Sequence, residues 1–221
     1  MAAHLVVEPH GTAVQMGAEP MTVLAMDTST TRGSVALLDG GRVLLDEAFT
    51  SDRSHGSLLI PVLQRALELA GKPDVIAVGL GPGSYAGVRI AIATAMGLGM
   101  ATGARLVGIP SVASLETGAN AYLAVGDARR DTFYFTRVED GECMEGPLLL
   151  DEAGLLARLA QWEELPVLVP EPLAVVPRAM VALPRATGLA RLAAAGRSVV
   201  AVGELEPLYL REPHITQPKA R

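Results

Sequence analysis

TVLAMDTSTTRGSVALLDGGRVLLDEAF, residues 22–49, decides the fold. Thr22 to Asp27 is a short apolar run and residues 34–38 are a second; Asp39-Gly40-Gly41, ahead of residues 42–49, is a hairpin turn signal. That spacing predicts three consecutive antiparallel strands. Residues 58–70 have the length and composition of a helix, closed by Gly71 as C-cap with Pro73 just beyond it. Ser54 or Ser57 can cap its start, but Pro61 removes a backbone donor near the first turn, so the pattern demands a kink or a later start. Residues 74–79 (DVIAVG) read as a buried strand, Gly81-Pro82-Gly83-Ser84 as a turn, and Tyr85 to Thr102 as a long apolar helix. The predicted order is βββαβα, with a further strand at 105–108.

The second half carries weaker patterning. Residues 121–125 and 132–138 read as strands around a turn rich in Asp and Arg, 152–162 as an amphipathic helix, and 166–170 as a short strand. Prolines at 170, 172, 177 and 184 then interrupt the chain before a last helix at 187–195. A lobe boundary is placed near residues 118–120, giving lobes 21–118 and 119–221. Residues 1–20 show neither periodicity nor the basic start and apolar core of a signal peptide, and are expected to be a disordered extension, with Met21 the start of the folded unit.

The 221 residues, half of them hydrophobic and 19% charged, support a core that removes about 70% of the unfolded surface from water. One cysteine, Cys143, excludes an internal disulfide, and with only four histidines no zinc-finger spacing exists, so a reducing cytosol is the expected compartment. The net charge is −6 and only Lys72 and Lys219 are lysines, so no basic stripe is available to neutralise a phosphate backbone and the chain alone should bind nucleic acid poorly. The apolar stretch 90–101 is interrupted by Thr94, Gly97 and Gly99 and is too short for a bilayer, so no membrane association is expected.

Residues 81–89 (GPGSYAGVR) deliver a strand into a helix N-terminus, where free N–H groups can hold an anion or where glycines simply permit a tight turn and close packing. A P-loop would need Lys then Ser or Thr after its last glycine, where Val88-Arg89 stand. A nucleophile elbow on Ser84 would need glycine at 82 and 86, where Pro82 and Ala86 stand. Asp27-Thr28-Ser29-Thr30 reads either as a carboxylate placed for a metal–nucleotide or as an ordinary turn. A Ser–His–Asp relay through His55, Ser54 or Ser57 and Asp27 or Asp52 ranks below plain helix capping. Cys143 sits between Glu142 and Glu145, which disfavour its thiolate. In the 85–102 helix, Gly87, Ala91, Ala95 and Gly99 form a small-residue stripe beside Val88, Ile92, Met96 and Met100. The large row is expected to fill the core, while the stripe admits a second helix, either 58–70 of this chain or one from a partner.

MDTSTTRGSVALL at 26–38, SHGSLLIPVLQRAL at 54–67, DVIAVGLGPGSYAGVRIAIATAMGLG at 74–99, VGIPSVASLE at 107–116 and PLYLRE at 207–212 resemble the bacterial TsaB (YeaZ) family. The resemblance implies an α/β fold of the actin/Hsp70/sugar-kinase (ASKHA) superfamily, a βββαβα N-terminal lobe with a reduced second lobe. It also implies a role in making N6-threonylcarbamoyladenosine in tRNA beside the paralogue TsaD and the ATPase TsaE. Catalytic members carry Asp-x-Gly-Thr in the first hairpin; here Ser29 takes the glycine position. TsaD carries a His-x-x-x-His metal site on the helix after the strand matching 105–108, where this chain reads PSVASLE at 110–116 without histidine.

The resemblance therefore implies a non-catalytic subunit with no catalytic, cofactor-binding or metal residues, required for threonylcarbamoyl transfer from threonylcarbamoyl-AMP to tRNA adenosine 37. A glycoprotease-like peptidase acting on TsaD and a small-molecule kinase are the alternatives. It further implies that the two N-terminal-lobe helices dock TsaD, through Leu59, Val62, Leu63 and Ala66 of the first and Gly87, Ala91, Ala95 and Gly99 of the second. The tRNA is reached only through the complex, and a homodimer is the alternative assembly when TsaD is absent.

Overall fold

The computed structural model describes residues 21–50 and 55–211. In chain order these form β1 (Thr22–Asp27), β2 (Arg32–Asp39), β3 (Arg42–Thr50), α1 (His55–Ala70), β4 (Val75–Gly79), α2 (Tyr85–Thr102), β5 (Arg105–Ile109) and a 3-10 turn at Ser111–Ser114. The second half follows as β6 (Ala121–Asp127), β7 (Thr132–Glu139), β8 (Glu142–Asp151), α3 (Glu152–Leu159), β9 (Val167–Val169), β10 (Met180–Val181), α4 (Ala186–Ala194) and β11 (Ala201–Val202). Two sheets result, ordered β11-β5-β4-β1-β2-β3 and β10-β9-β6-β7-β8. The expected βββαβα order is present, with β1, β4 and β5 parallel. The fold is α/β, as the resemblance implied.

The continuous apolar runs of β1 and β4 are those of strands covered on both faces, and alternate residues part accordingly. Leu24, Met26, Val35, Leu37, Ile76 and Val78 turn toward α1 and α2. Val23, Ala25, Ala36, Leu38, Val75 and Ala77 turn toward α4. Leu59, Val62, Leu63 and Ala66 recur at helical spacing along the sheet-facing side of α1. α2 starts at Ser84, whose hydroxyl accepts from the Gly87 amide, and ends at Gly103, left-handed at φ 78. The second sheet is covered by α3 on one face. On its other face, Tyr122, Ala124, Tyr134 and Val138 pack with Val112 from the connection to the first sheet.

Several expectations are corrected. No strand is expected over residues 142–151, yet β8 forms there as an edge strand, where the ladder donor missing at Pro147 is tolerated. The segment 152–162 is an α-helix only to Leu159 and then tightens to a 3-10 turn. α1 begins at His55, three residues before the expected span of 58–70, and holds Pro61 inside. Residues 119–221 were expected to form one lobe, but α4 packs on β1, β2 and β4, and β11 pairs with β5. Leu189, Ala190 and Ala193 supply the cover that the second face of the first sheet requires.

The small stripe of α2 is also corrected. Ala91 and Ala95 are fully buried against the sheet in this chain, Gly99 lies over Leu106, and Gly87 lies against the Thr28 carbonyl. Leu59, Val62, Leu63 and Ala66 are likewise core residues. A partner docking on these helices meets other side chains. Of the large row, Val88 and Ile92 are buried, whereas Met96 and Met100 are exposed, Met100 to 89%. Small residues bring the helix axis close to the strands, and that closeness turns the methionines outward.

Ala95→Glu should lower folding stability by about 3 kcal/mol or more, since it places an unpaired carboxylate in the core. Met100→Glu should stay within about 0.5 kcal/mol of wild type in the same denaturant titration. The alkaline limb of stability follows from the second sheet. Burial pushes the Cys143 thiol from 9.0 up to about 12 and raises the Tyr122 and Tyr134 phenols. Each group holds its proton longer folded than unfolded, so stability should be full below about pH 9 and fall as pH rises toward 12. Cys143→Ser should shrink that fall.

Candidate functional site

In an open parallel sheet, ligands gather outside the carboxyl ends of the strands. Here that end is occupied by Asp27 closing β1, Gly79 closing β4, and Ser111 just beyond β5. Asp27 is fully buried, and its Oδ1 accepts from the Ser29 amide at 2.8 Å and the Ser29 hydroxyl at 2.7 Å. The hydroxyl standing where catalytic relatives of the fold are expected to carry glycine is therefore spent on Asp27. A Cβ on Gly79 would sit 1.8 Å from Asp27 Oδ2 and 2.7 Å from Ser111 Oγ. The Gly81 amide donates to Ser111 Oγ at 2.9 Å, and the Ser111 amide to the Gly81 carbonyl at 2.8 Å.

The turn after β1 and the loop before α2 are clamped together. The Ser84 amide donates to the Ser29 carbonyl at 2.6 Å, and the Thr28 hydroxyl to the Gly87 carbonyl at 2.7 Å. A Cβ on Gly83 would lie 2.2 Å from the Ser29 carbonyl oxygen, and one on Gly87 1.9 Å from that of Thr28. Of the two readings left open for this loop, the geometry matches close packing: Gly83 and Gly87 admit the neighbouring backbone of Ser29 and Thr28. Ser84 is an N-cap, so its oxygen serves a backbone amide. Among the described residues, no three His, Cys, Asp or Glu side chains converge. Asp52, Ser54 and the side chain of His55 lie outside the described residues. A groove of about 770 Å³ opens elsewhere, at the β6–β7 turn, lined by Arg129, Arg130, Asp131, Glu152, Glu171 and Leu173.

Two features escaped the sequence reading. Tyr85 at the start of α2 lies 5.6 Å, ring to ring, from Tyr209, and the Arg89 guanidinium donates to the Tyr85 hydroxyl. Hydrogen bonds from Tyr209 and Arg89 hold the Tyr85 phenol below the ordinary tyrosine range. No local signal links position 85 to 209. The second feature is the exposed apolar side chains of α1 and α2: Leu58, Ile60, Leu69, Met96 and Met100. Its signal was a surplus: apolar residues ring both helices beyond what one buried stripe uses.

Residues 46–165 match the family model TsaD, tRNA N6-adenosine threonylcarbamoyltransferase. The tRNA threonylcarbamoyladenosine biosynthesis protein TsaB of Escherichia coli is 30% identical over 86% of this chain and 95% of its own length. The Haemophilus influenzae protein of the same name is 32% identical over 53% of this chain and 54% of its own length. The solved structure of YeaZ from Pseudomonas aeruginosa superposes with a TM-score of 0.68 at 32% identity, covering 86% of this chain and all of that one. Near-complete coverage of a TsaB relative and of YeaZ, at the same level of identity, joins the quoted sequence blocks and the observed sheet order: the chain belongs to the TsaB (YeaZ) family.

Proposed function

We propose that the chain serves tRNA threonylcarbamoyladenosine biosynthesis as a non-catalytic cytoplasmic subunit that docks TsaD through the outer face of α1 and α2. A role in that biosynthesis follows from family membership. The observation supporting docking is the division of labour on the two helices. Their inward residues are buried to completion, while Ile60 at 47%, Leu69 at 59%, Met96 at 44% and Met100 at 89% stand exposed. Flexible, polarizable methionines exposed on a helix surface suit a helix-on-helix contact.

The non-catalytic reading draws support from the clamped cleft. Asp27 Oδ1 accepts from Ser29, Ser84 caps α2, and carbonyl oxygens of the chain itself take up the backbone gap. In this reading TsaD carries the transfer chemistry and TsaE joins the assembly. The tRNA is held by the complex, consistent with a chain of net charge −6. When TsaD is missing, a second copy of the chain is the available cover for the same face.

Ile60→Glu and Met96→Glu should each fold with an unchanged thermal midpoint and weaken TsaD co-purification at least about tenfold, the effect of losing a central apolar contact. Full-strength pairing by both variants overturns the docking reading. The purified chain should neither hydrolyse ATP nor cleave TsaD. Turnover of either kind, lost in Asp27→Ala or Ser84→Ala, would show that the cleft is an active site.

A further inference from the structure

The two sheets are joined by chain crossings that pair with each other: Leu115 bridges Pro184, the Glu116 amide donates to the Leu183 carbonyl, and the Arg185 amide to that of Ser114. A pair of crossings like this is by itself a hinge. The rest of the chain after α4 then does something a hinge does not need. Its middle is stitched into the first sheet: β11 pairs with β5, Leu205 enters the core under α2, and the Leu208 amide donates to the Leu80 carbonyl at 2.9 Å. Tyr209 lies on Tyr85 at the start of α2.

Its two ends reach the second sheet. At one end the Arg197 guanidinium bonds Glu142 at 3.3 Å and the Asp140 carbonyl, and the Ser198 amide and hydroxyl bond Glu142 and the Gly141 carbonyl. Ser198 holds φ 53, a left-handed conformation unusual for serine, and the bonds to Glu142 fix it there. At the other end Leu210 packs on the face of Tyr122, Ala124 and Tyr134, and the Arg211 guanidinium bonds Thr132 Oγ1 and, at 3.4 Å, the Arg129 carbonyl. That carbonyl belongs to a turn in which Arg129, Arg130 and Asp131 are left-handed in succession.

The Asp140–Glu142 turn and the Arg129–Thr132 turn lie at opposite ends of β7. We propose that residues 197–211 are a two-ended strap that grips β7 at both ends while anchored in the first sheet, locking the two sheets against hinge motion. One gripped end would leave the second sheet free to rock about it; two ends eight residues of strand apart remove that freedom. The strap rests on contacts within this chain and stands independently of the docking proposal.

The chain supplies its own reporter. Cys143, the single cysteine, packs both with the α4 side of the first sheet and with the inner face of the second. Opening between the sheets exposes it. The rate of Cys143 labelling by dithionitrobenzoate without denaturant should rise about tenfold in Arg197→Ala and also in Arg211→Ala, with little change in thermal midpoint, as local opening requires. Arg211 is the decisive arm, because it touches the end of β7 remote from the thiol. A wild-type rate in Arg211→Ala, or rates that rise only in step with lost global stability, overturns the strap. Should Arg197→Ala fail to fold, Ser198→Ala takes its place with the same expectations.

Discussion

Backbone touching backbone at the carboxyl end of the first sheet is the contact on which the remaining architecture depends. The carbonyls of Thr28 and Ser29 occupy the space that side chains would take at Gly87 and Gly83, and the Ser84 amide completes the join. That approach sets where α2 begins, and therefore its height above β1 and β4. With the helix so low, Ala91 and Ala95 lie fully buried beneath it, flanked by Val88 and Ile92 in the same apolar core. The sheet is apolar on both faces, and α4 returns from the far end of the sequence to cover the other side.

The same contact bears on chemistry. A nucleotide-binding cleft works by leaving preorganised donors facing a space that a ligand can enter. Here the donors already have acceptors inside the chain: the Ser84 amide has Ser29, the Gly81 amide has Ser111, and the Ser29 amide has Asp27. Admitting a phosphate would require breaking several buried bonds before any new one formed, and unmade buried hydrogen bonds each cost about 1–3 kcal/mol. These three amides are satisfied within the chain itself.

The first half of the fold was legible because its signals are local: a glycine turn between apolar runs, a glycine cap, an unbroken apolar pentamer. α2 was bounded to the residue by Ser84 and Gly103. β8 carries a Gly-Pro pair whose tolerance depends on being at an edge, a property of the sheet and not of the segment. The orientation of α2 was misjudged. Small residues on a helix permit close approach by a helix or by a sheet, and the sequence pattern alone does not distinguish the two. The pairing of Tyr85 with Tyr209, and of Arg211 with Thr132, joins positions distant in sequence and leaves no periodic trace.

The arrangement of α2 separates two selective pressures that usually fall on the same residues. Alanines and glycines on the inner side carry the stability of the domain and tolerate almost no change in volume, while Met96 and Met100 on the outer side contribute little to it. Outward positions are thus free to vary without refolding the protein that bears them. A designer could rewrite a few outward positions of α1 and α2 and leave every inward one untouched, changing the surface the fold presents while keeping the fold.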